Sequence, residues 1–397
     1  MINPAKLTAC GGSHPEWAGT GRLPNAIDIR LCRSGRDWRL FERVPEILHG
    51  GDPAFVPPIP GDVAKLGGSA HPFRAHGTLR AYVAHRGGRP VGRIASIVNR
   101  THNEFHGDRT GFFGFFSFED GDVARGLLEQ ALRDLAEAGR DVARGPMNPT
   151  QNDECGLQVD GFGARPCFGM PYNPPWYVGV YESLGLQGAR DLLAYDLDTS
   201  MELGFDQRLA GLTARIRERF PMTVRPVDLG RLEQEARLVS HLFNASLAEE
   251  WNFMPLSVED ARAWARDLAT HLDPEAVLIA EVRGVPAGLS IVLPDLNELL
   301  APTQRLPRWL RLPRLAWLLK TRRCRRGRWA VFGVLPEYRK LGATLLLVYD
   351  AIKLGRKRYD AGEISWTQDI NPEVNRLAAQ LGLEPSRRYR VYEARTS

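Results

Sequence analysis

The feature that most constrains this chain is an order of elements that its pattern spells twice. Residues 27–200 read as a strand and helix (IDIRLCRS, DWRLFERVPEIL), a hairpin around Gly-Gly (LRAYVAHRGGRPVGRIASIV), and a strand (TGFFGFFSF) running into a helix (DVARGLLEQALRDLAEAG). A strand, a helix and a strand close that half (DVARGPMN, PPWYVGVYESLG, RDLLAYDLD). Residues 201–397 repeat the order with TVRPVDL, RLEQEARLVSHLFNASLAEEW, the hairpin VLIAEVRGVPAGLSIVL, WAVFGVL, a helix from Leu341 to Arg356, EISWTQDI, PEVNRLAAQLG and RRYRVYEA. A chain of 397 residues also exceeds one ordinary core and suits two domains of about 150 to 200 residues. The expectation is an α+β protein: a flexible N-terminal segment 1–26, then domains 27–200 and 201–397. Each domain should hold a mixed, mostly antiparallel sheet flanked by helices, because strict βαβα alternation is missing.

Composition narrows the setting. Hydrophobic residues at 43% and charged residues at 25% are globular proportions. No window approaches the roughly 20 apolar residues of a spanning helix, so a cytoplasmic location is expected. Cys10, Cys32, Cys155, Cys167 and Cys324 are scattered without the short paired spacings of a zinc site; they read as reduced thiols, and no metal is expected.

The net charge of +5 is modest, but it is unevenly placed. Between Ala301 and Trp329 stand ten basic residues and no acid, interleaved with Leu306, Trp309, Leu312, Leu315, Trp317, Leu318 and Leu319. Pro307 and Pro313 predict a broken amphipathic segment with about two turns of helix after Pro313. Trp and Leu beside Arg suit an anionic membrane surface, met by residues 305–328. An apolar side covering the second core under a solvated basic rim is the competing reading. Nucleic acid is not expected, since no recognised motif accompanies the charge.

GVLPEYRKLGATLLL, Gly333 to Leu347, reads as a strand end, a tight loop and a helix. A helix N-terminus carries unpaired N–H groups and about half a positive charge, so it attracts phosphate. Arg339 adds charge and Gly342 permits close approach by a ligand. As an alternative, this is an ordinary strand-to-helix turn with surface Arg and Lys.

The stretch resembles the acyl-coenzyme A loop of the GNAT acyltransferase superfamily, Q/R-x-x-G-x-G/A after a strand, and NPEVNRLAAQLG (Asn371 to Gly382) resembles the downstream motif of that superfamily. The resemblance implies an acyl-CoA co-substrate, or a carrier-protein thioester, held by Phe332, Val334, Arg339, Lys340, Leu341, Gly342, Ala343, Thr344 and Asn371. Two positions depart from it. Thr344 stands where Gly or Ala is usual, and Ala378 where many members carry a tyrosine that protonates the leaving thiolate. The first half is complementary, with Asn173 and with Tyr181 four residues before Gly185 but no Arg-x-x-Gly loop; Tyr181 also reads as a core aromatic.

The span 27–393 is further similar to a narrower bacterial group of tandem GNAT-like proteins that includes bacterial ceramide synthases. VGRIASIVNRTHNEFHGDRTGFFGFFSFED, GPMNPTQNDECGLQVDGF, EEWNFMPL, LPDLN and SWTQDIN carry the likeness. It implies N-acylation of a lipid amine, a sphingoid base such as sphinganine or its 3-keto form, by a fatty acyl thioester; the basic segment 305–328 adds the expectation of a peripheral position on the inner face of the inner membrane. A protonated amine must lose its proton before attack. Asp295, Asp369 and Glu154 stand near strand ends as candidate bases, each also readable as a turn acid. Asn148 and Asn152 are candidates for holding the acceptor's oxygen, and Trp251, Phe253 and Trp366 for lining an acyl channel, with core packing as the alternative. Rival functions are transfer to a small soluble amine, including aminoacyl transfer, and a non-catalytic acyl-CoA sensor or membrane adaptor.

Overall fold

The computed structural model describes residues 26–199, 206–269 and 274–396. Residues 1–25 of the expected flexible segment, with Cys10, and the expected junction at 200–201 lie outside them. The first half supplies strands β1 (Ile27–Leu31), β2 (Gly77–Arg86), β3 (Arg89–Asn99), β4 (Thr110–Phe118), β5 (Val142–Gly145) and β6 (Gln187–Asp198), with helices α1 (Gly35–His49), α2 (Gly121–Glu137) and α3 (Tyr177–Ser183). The second half supplies helices α4 (Asp206–Arg219), α5 (Leu232–Leu247), α6 (Val258–Ala269), α7 (Arg308–Thr321), α8 (Ala343–Arg358) and α9 (Pro372–Gln380). Its strands are β7 (Met222–Pro226), β8 (Val277–Val282), β9 (Val285–Pro294), β10 (Arg326–Val334), β11 (Ala361–Gln368) and β12 (Arg387–Arg395). The α+β class and the doubled order hold. The pattern reading left out α4 and α6.

These twelve strands join one sheet in the order β1-β2-β3-β4-β5-β12-β6-β11-β10-β9-β8-β7, and a short thirteenth strand, Leu157–Asp160, pairs with β12. In each half three antiparallel pairings are followed by a parallel step, β4 to β5 across α2 and β10 to β11 across α8. The last strands are then exchanged. β6 pairs with β11 of the second half, β12 pairs with β5 of the first, and the two lie antiparallel at the centre.

Apolar burial holds this exchange. Tyr195 of β6 packs with Val348, Ile352, Ala378 and Leu381 of the second half, and Tyr389 and Val391 of β12 pack with Phe41, Phe112 and Phe115 of the first. Each such buried side chain contributes about 1.5–3 kcal/mol. The charged residues at the seam are paired: Arg387 donates to Glu363 at 2.8 Å and to Asp196 at 3.2 Å, and Arg326 also reaches both carboxylates.

The segment after Pro307 differs from expectation. α7 is continuous through Pro313. A proline there removes a single N–H bond to the preceding turn, and Leu315 and Leu318, buried against Leu296, Leu299 and Leu300, anchor the helix beyond it.

Candidate active site

The parallel strand pairs part company early. β10 and β11 are in register only from Arg326↔Ala361 to Trp329↔Ile364, and β4 and β5 only from Thr110↔Val142 to Phe112↔Arg144. A bulge helps each divergence. β9 and β10 slip register between Ile291 and Val292, and β3 and β4 between Arg93 and Ala95, where Phe115 has a φ of 51°. Past the last paired residue, neither β10 nor β4 has a strand partner on the side that faces the opening.

Both openings face one cavity of about 660 Å³. Phe115 to Ser117 and Asn148 wall it in the first half; Ala330 to Phe332 and Trp366 to Gln368 wall it at the matching places in the second. The volume is in the range of small-molecule sites, roughly 300–1,000 Å³.

Polar groups gather at the first opening. Asn148 Oδ1 accepts from the Phe115 N–H at 2.5 Å, and Asn148 Nδ2 donates to the Glu154 carboxylate at 3.0 Å. The accessible surface of Glu154 opens into the cavity. Glu154 is exposed to the cavity yet surrounded by protein, and that desolvation raises its pKa above the ordinary carboxylate value, with Asn148, Arg93 and Arg328 opposing the rise. Arg93 is buried, donates to the Phe41 carbonyl at 2.9 Å, and lies over the rings of Phe41 and Phe115; burial pushes its guanidinium down to about 10. Arg328, from β10, is also buried and donates to Ser365 Oγ at 2.9 Å. Glu154 therefore feels the field of one cation from each half.

The second opening is apolar. Val348, Ile364, Val374, Leu377 and Ala378 line it, with Glu250 and Asn371 at its edge. Asn371 caps α9 by accepting from the Val374 N–H and donates to Glu250 at 2.9 Å; burial raises the pKa of Glu250.

The helices that follow the two parting strands begin differently. α2 is capped by its own acid: Asp120 accepts from the Val123 N–H at 3.0 Å and from Arg86 at 2.7 Å, and Asp122 adds a second carboxylate in the first turn. α8 has Gly342 at its cap, with φ of 94°, no side-chain cap and no acid in its first turn. The N–H groups of Ala343 and Thr344 have no carbonyl partner within that helix, which leaves its positive end for an anion. Lys340 is exposed and Leu341 and Gly342 half-buried. Arg339 is more engaged than expected, donating to the carbonyls of Val334 at 3.0 Å and Ser246 at 3.1 Å. Ile216 of α4 packs where a Cβ on Gly342 would stand. Of the expected coenzyme residues, Phe332 and Asn371 reach the cavity wall.

The other candidates are dispersed. Asp295 is buried away from the cavity wall, accepting from the Phe168 N–H at 2.9 Å and the Asn297 N–H at 3.1 Å. Asp369 is exposed and paired with Arg190 at 3.4 Å. Tyr181 lines the first opening but packs among Phe116, Phe118 and Tyr392, with burial raising its pKa. Phe253 and Trp366 are on the wall; Trp251 stands behind it, between the guanidinium groups of Arg144 and Arg190.

The motifs far apart in sequence meet at Asn252. Its Oδ1 accepts from Arg144 at 2.7 Å and lies 3.1 Å from His102 Nε2, and its Nδ2 donates to Gln151. Nearby, Gln368 donates to the Trp251 carbonyl at 3.0 Å, Asn152 to the Met254 carbonyl at 3.0 Å, and His106 Nε2 lies 2.8 Å from the Phe253 carbonyl. First-half side chains thus clamp the second-half loop that places Phe253 and Met254 on the cavity wall. Arg93, Glu250 and Asn252 carry no site signal in the sequence, and Arg328 stands there only as the last of the ten basic residues rather than as a site residue. Among the described residues no group of three or more His, Cys, Asp or Glu side chains is arranged to hold a metal.

No family model matches the chain. Its fold is that of a tandem GNAT protein from the clavulanic acid biosynthesis pathway: the TM-score is 0.55 at 14% identity, over 94% of this chain and 99% of that one. Fold and paired openings are thus similar in architecture to those of tandem GNAT proteins. In sequence the chain is 29% identical to bacterial ceramide synthase of Caulobacter vibrioides over 92% of its length and 97% of the relative's, and 29% identical to protein YghO of Escherichia coli over 92% and 94%. No helix among the described residues is long and apolar enough to cross a membrane.

Proposed function

We propose that this chain transfers a long acyl group from a thioester, acyl-CoA or its carrier-protein equivalent, to the amine of a sphingoid base such as sphinganine or its 3-keto form. The observation that carries this reading is the single cavity: an acidic, hydrogen-bonding end at the first opening continuous with an apolar end at the second. A long-chain amine and an acyl chain need the apolar wall; an amine flanked by oxygen needs the polar one. The relative named bacterial ceramide synthase supports the same choice.

The thioester is placed at the second opening, its diphosphate at the uncapped start of α8. The amine approaches from the first opening. Glu154, whose raised pKa brings its proton affinity nearer to that of an amine, accepts the ammonium proton. The freed nitrogen adds to the carbonyl carbon, and unpartnered main-chain N–H groups of β10 stabilise the oxyanion. On collapse the C–N bond remains, the C–S bond breaks, and the second amine proton passes to solvent water, which carries one to the departing thiolate. Ala378 cannot protonate the thiolate, so water does. Asn148 orients Glu154 and is within reach of the acceptor's oxygen.

Purified protein given a long-chain acyl-CoA and sphinganine should release free thiol and form one amide, detected by mass spectrometry. Faster acylation of short soluble amines, or binding of acyl-CoA without turnover on any amine, would overturn the assignment.

A further inference from the structure

α7 has two apolar faces, and only one is covered. Leu315 and Leu318 are buried inward, while Trp309, Leu312, Pro313, Ala316 and Trp317 form an outward stripe at i, i+3, i+4, i+7 and i+8. Trp309 is 75% exposed, Trp317 48% and Leu312 46%, a concentration unusual on a protein surface that meets only water.

The charge around this stripe is sorted. Arg308 pairs with Glu42 and Glu46, Arg311 with Glu46 at 2.5 Å, Arg325 with Asp360 at 2.5 Å, and Arg326 with Asp196 and Glu363. Arg305, Arg314, Lys320, Arg322 and Arg323 remain exposed, with no carboxylate partner among the described residues, and Arg314 lies 4.1 Å from the Trp317 ring centroid. Internal pairing thus holds α7 in place and leaves five cations beside an apolar stripe. A second copy of this chain would bring the same cations against themselves, and an RNA would leave the Trp and Leu stripe without a use. An anionic bilayer satisfies both, with indole and leucine below the headgroups and cations among the phosphates.

We propose that α7 docks on an anionic membrane surface and sets the cavity beside the bilayer, so that a lipid amine passes in without crossing water. The inner face of α7 packs with Val56, Ile59, Phe168 and Leu300, which also wall the cavity, so the docked helix is one side chain from it. The passage of acceptor rests on the lipid-amine reading above; docking itself does not.

Flotation with phosphatidylglycerol and with phosphatidylcholine vesicles tests docking independently of turnover. The protein should float with the anionic vesicles. Trp309→Ser/Leu312→Ser/Trp317→Ser should abolish flotation, and Arg314→Glu/Lys320→Glu/Arg322→Glu/Arg323→Glu should weaken it about tenfold or more. All seven side chains point outward, so melting temperatures should stay near wild type and confirm folding. Acyl transfer to sphinganine should survive in both variants in detergent micelles and fall only with vesicle-borne amine. Wild-type protein that ignores anionic vesicles, variants that float like wild type, or a dimer that the serine variant dissociates would each overturn docking. Loss of micellar activity in wild type would instead remove the acyltransferase reading and leave the flotation result standing.

Discussion

The two strand openings share a topology and differ in chemistry, and on the proposed function that difference divides the work between them. The helix after the first begins with two carboxylates of its own, and the helix after the second begins with none. A diphosphate at α2 would meet Asp120 and Asp122; at α8 it would meet only main-chain donors and nearby cations. Conversely, the first opening holds Glu154, Asn148 and Arg93, whereas the second is lined mainly by apolar groups, with Glu250 and Asn371 at its edge. On the proposed function, this difference in local charge suits the second opening to phosphate and the first to an amine.

Removing the base should break the comparison most severely. Glu154→Gln keeps the size and the Asn148 contact but cannot accept a proton, so kcat should fall about 10²–10⁴-fold while the KM for acyl-CoA changes little. In wild type, kcat/KM should rise with pH through a pKa above the ordinary carboxylate range, and this limb should vanish in the variant. If Glu250→Gln causes the larger loss, the proton leaves at the second opening instead.

Making α8 start as α2 does should have the next largest effect. Thr344→Asp puts a carboxylate in the first turn, where it competes for the same N–H groups and repels phosphate. The KM for acyl-CoA should rise about tenfold with kcat held at saturation. An unaltered KM would detach the diphosphate from this helix. Arg339→Glu should also raise KM, but Arg339 binds two main-chain carbonyls, so its melting temperature must be compared as well.

The doubled order was legible because strand alternation and helical spacing are local, and the α2 stripe Val123, Leu127, Leu128, Ala131 and Leu135 is buried as its spacing predicts. The strand exchange was not legible, since β6 and β12 carry the same pattern whichever neighbour they pair with. α6 had a start signal, with Ser257 Oγ accepting from the Asp260 N–H at 3.0 Å, but its polar composition hid it. Site residues divided similarly. Glu154 and Asn148 stood out as polar groups in one short loop, whereas Arg93 lies in a strand where only burial distinguishes it. Asn252 gains its role from partners 100 or more positions away, His102, Arg144 and Gln151, which no local pattern reports.

Asn252 also tests whether the two openings act as one site. Asn252→Gly keeps the backbone at φ of 58° easy and removes the amide, leaving Arg144, His102 and Gln151 without a shared partner. An unfolding cost of about 2–3 kcal/mol is expected in denaturant titration. If Phe253 and Met254 then drift, the KM for the amine should rise more than that for acyl-CoA. Equal changes would mean that the clamp supports the fold alone.

The smallest expected effect concerns Asp153, the neighbour of Glu154. Burial pushes its pKa up to about 6, against 3.8 when exposed, while Thr150 donates to it through N–H and hydroxyl. Between those values the folded chain holds a proton that the unfolded chain has lost, so this contribution is complete at low pH and is lost as pH rises through 6. Asp153→Asn removes the titration but keeps an acceptor for Thr150. Its melting temperature relative to wild type should therefore increase between pH 4 and pH 7, by about 1–2 °C for a chain of this size. A difference that stays flat over that range would mean that the acidic end of the cavity is wetter than its packing implies, and Glu154 would then lose the desolvation that makes it a base.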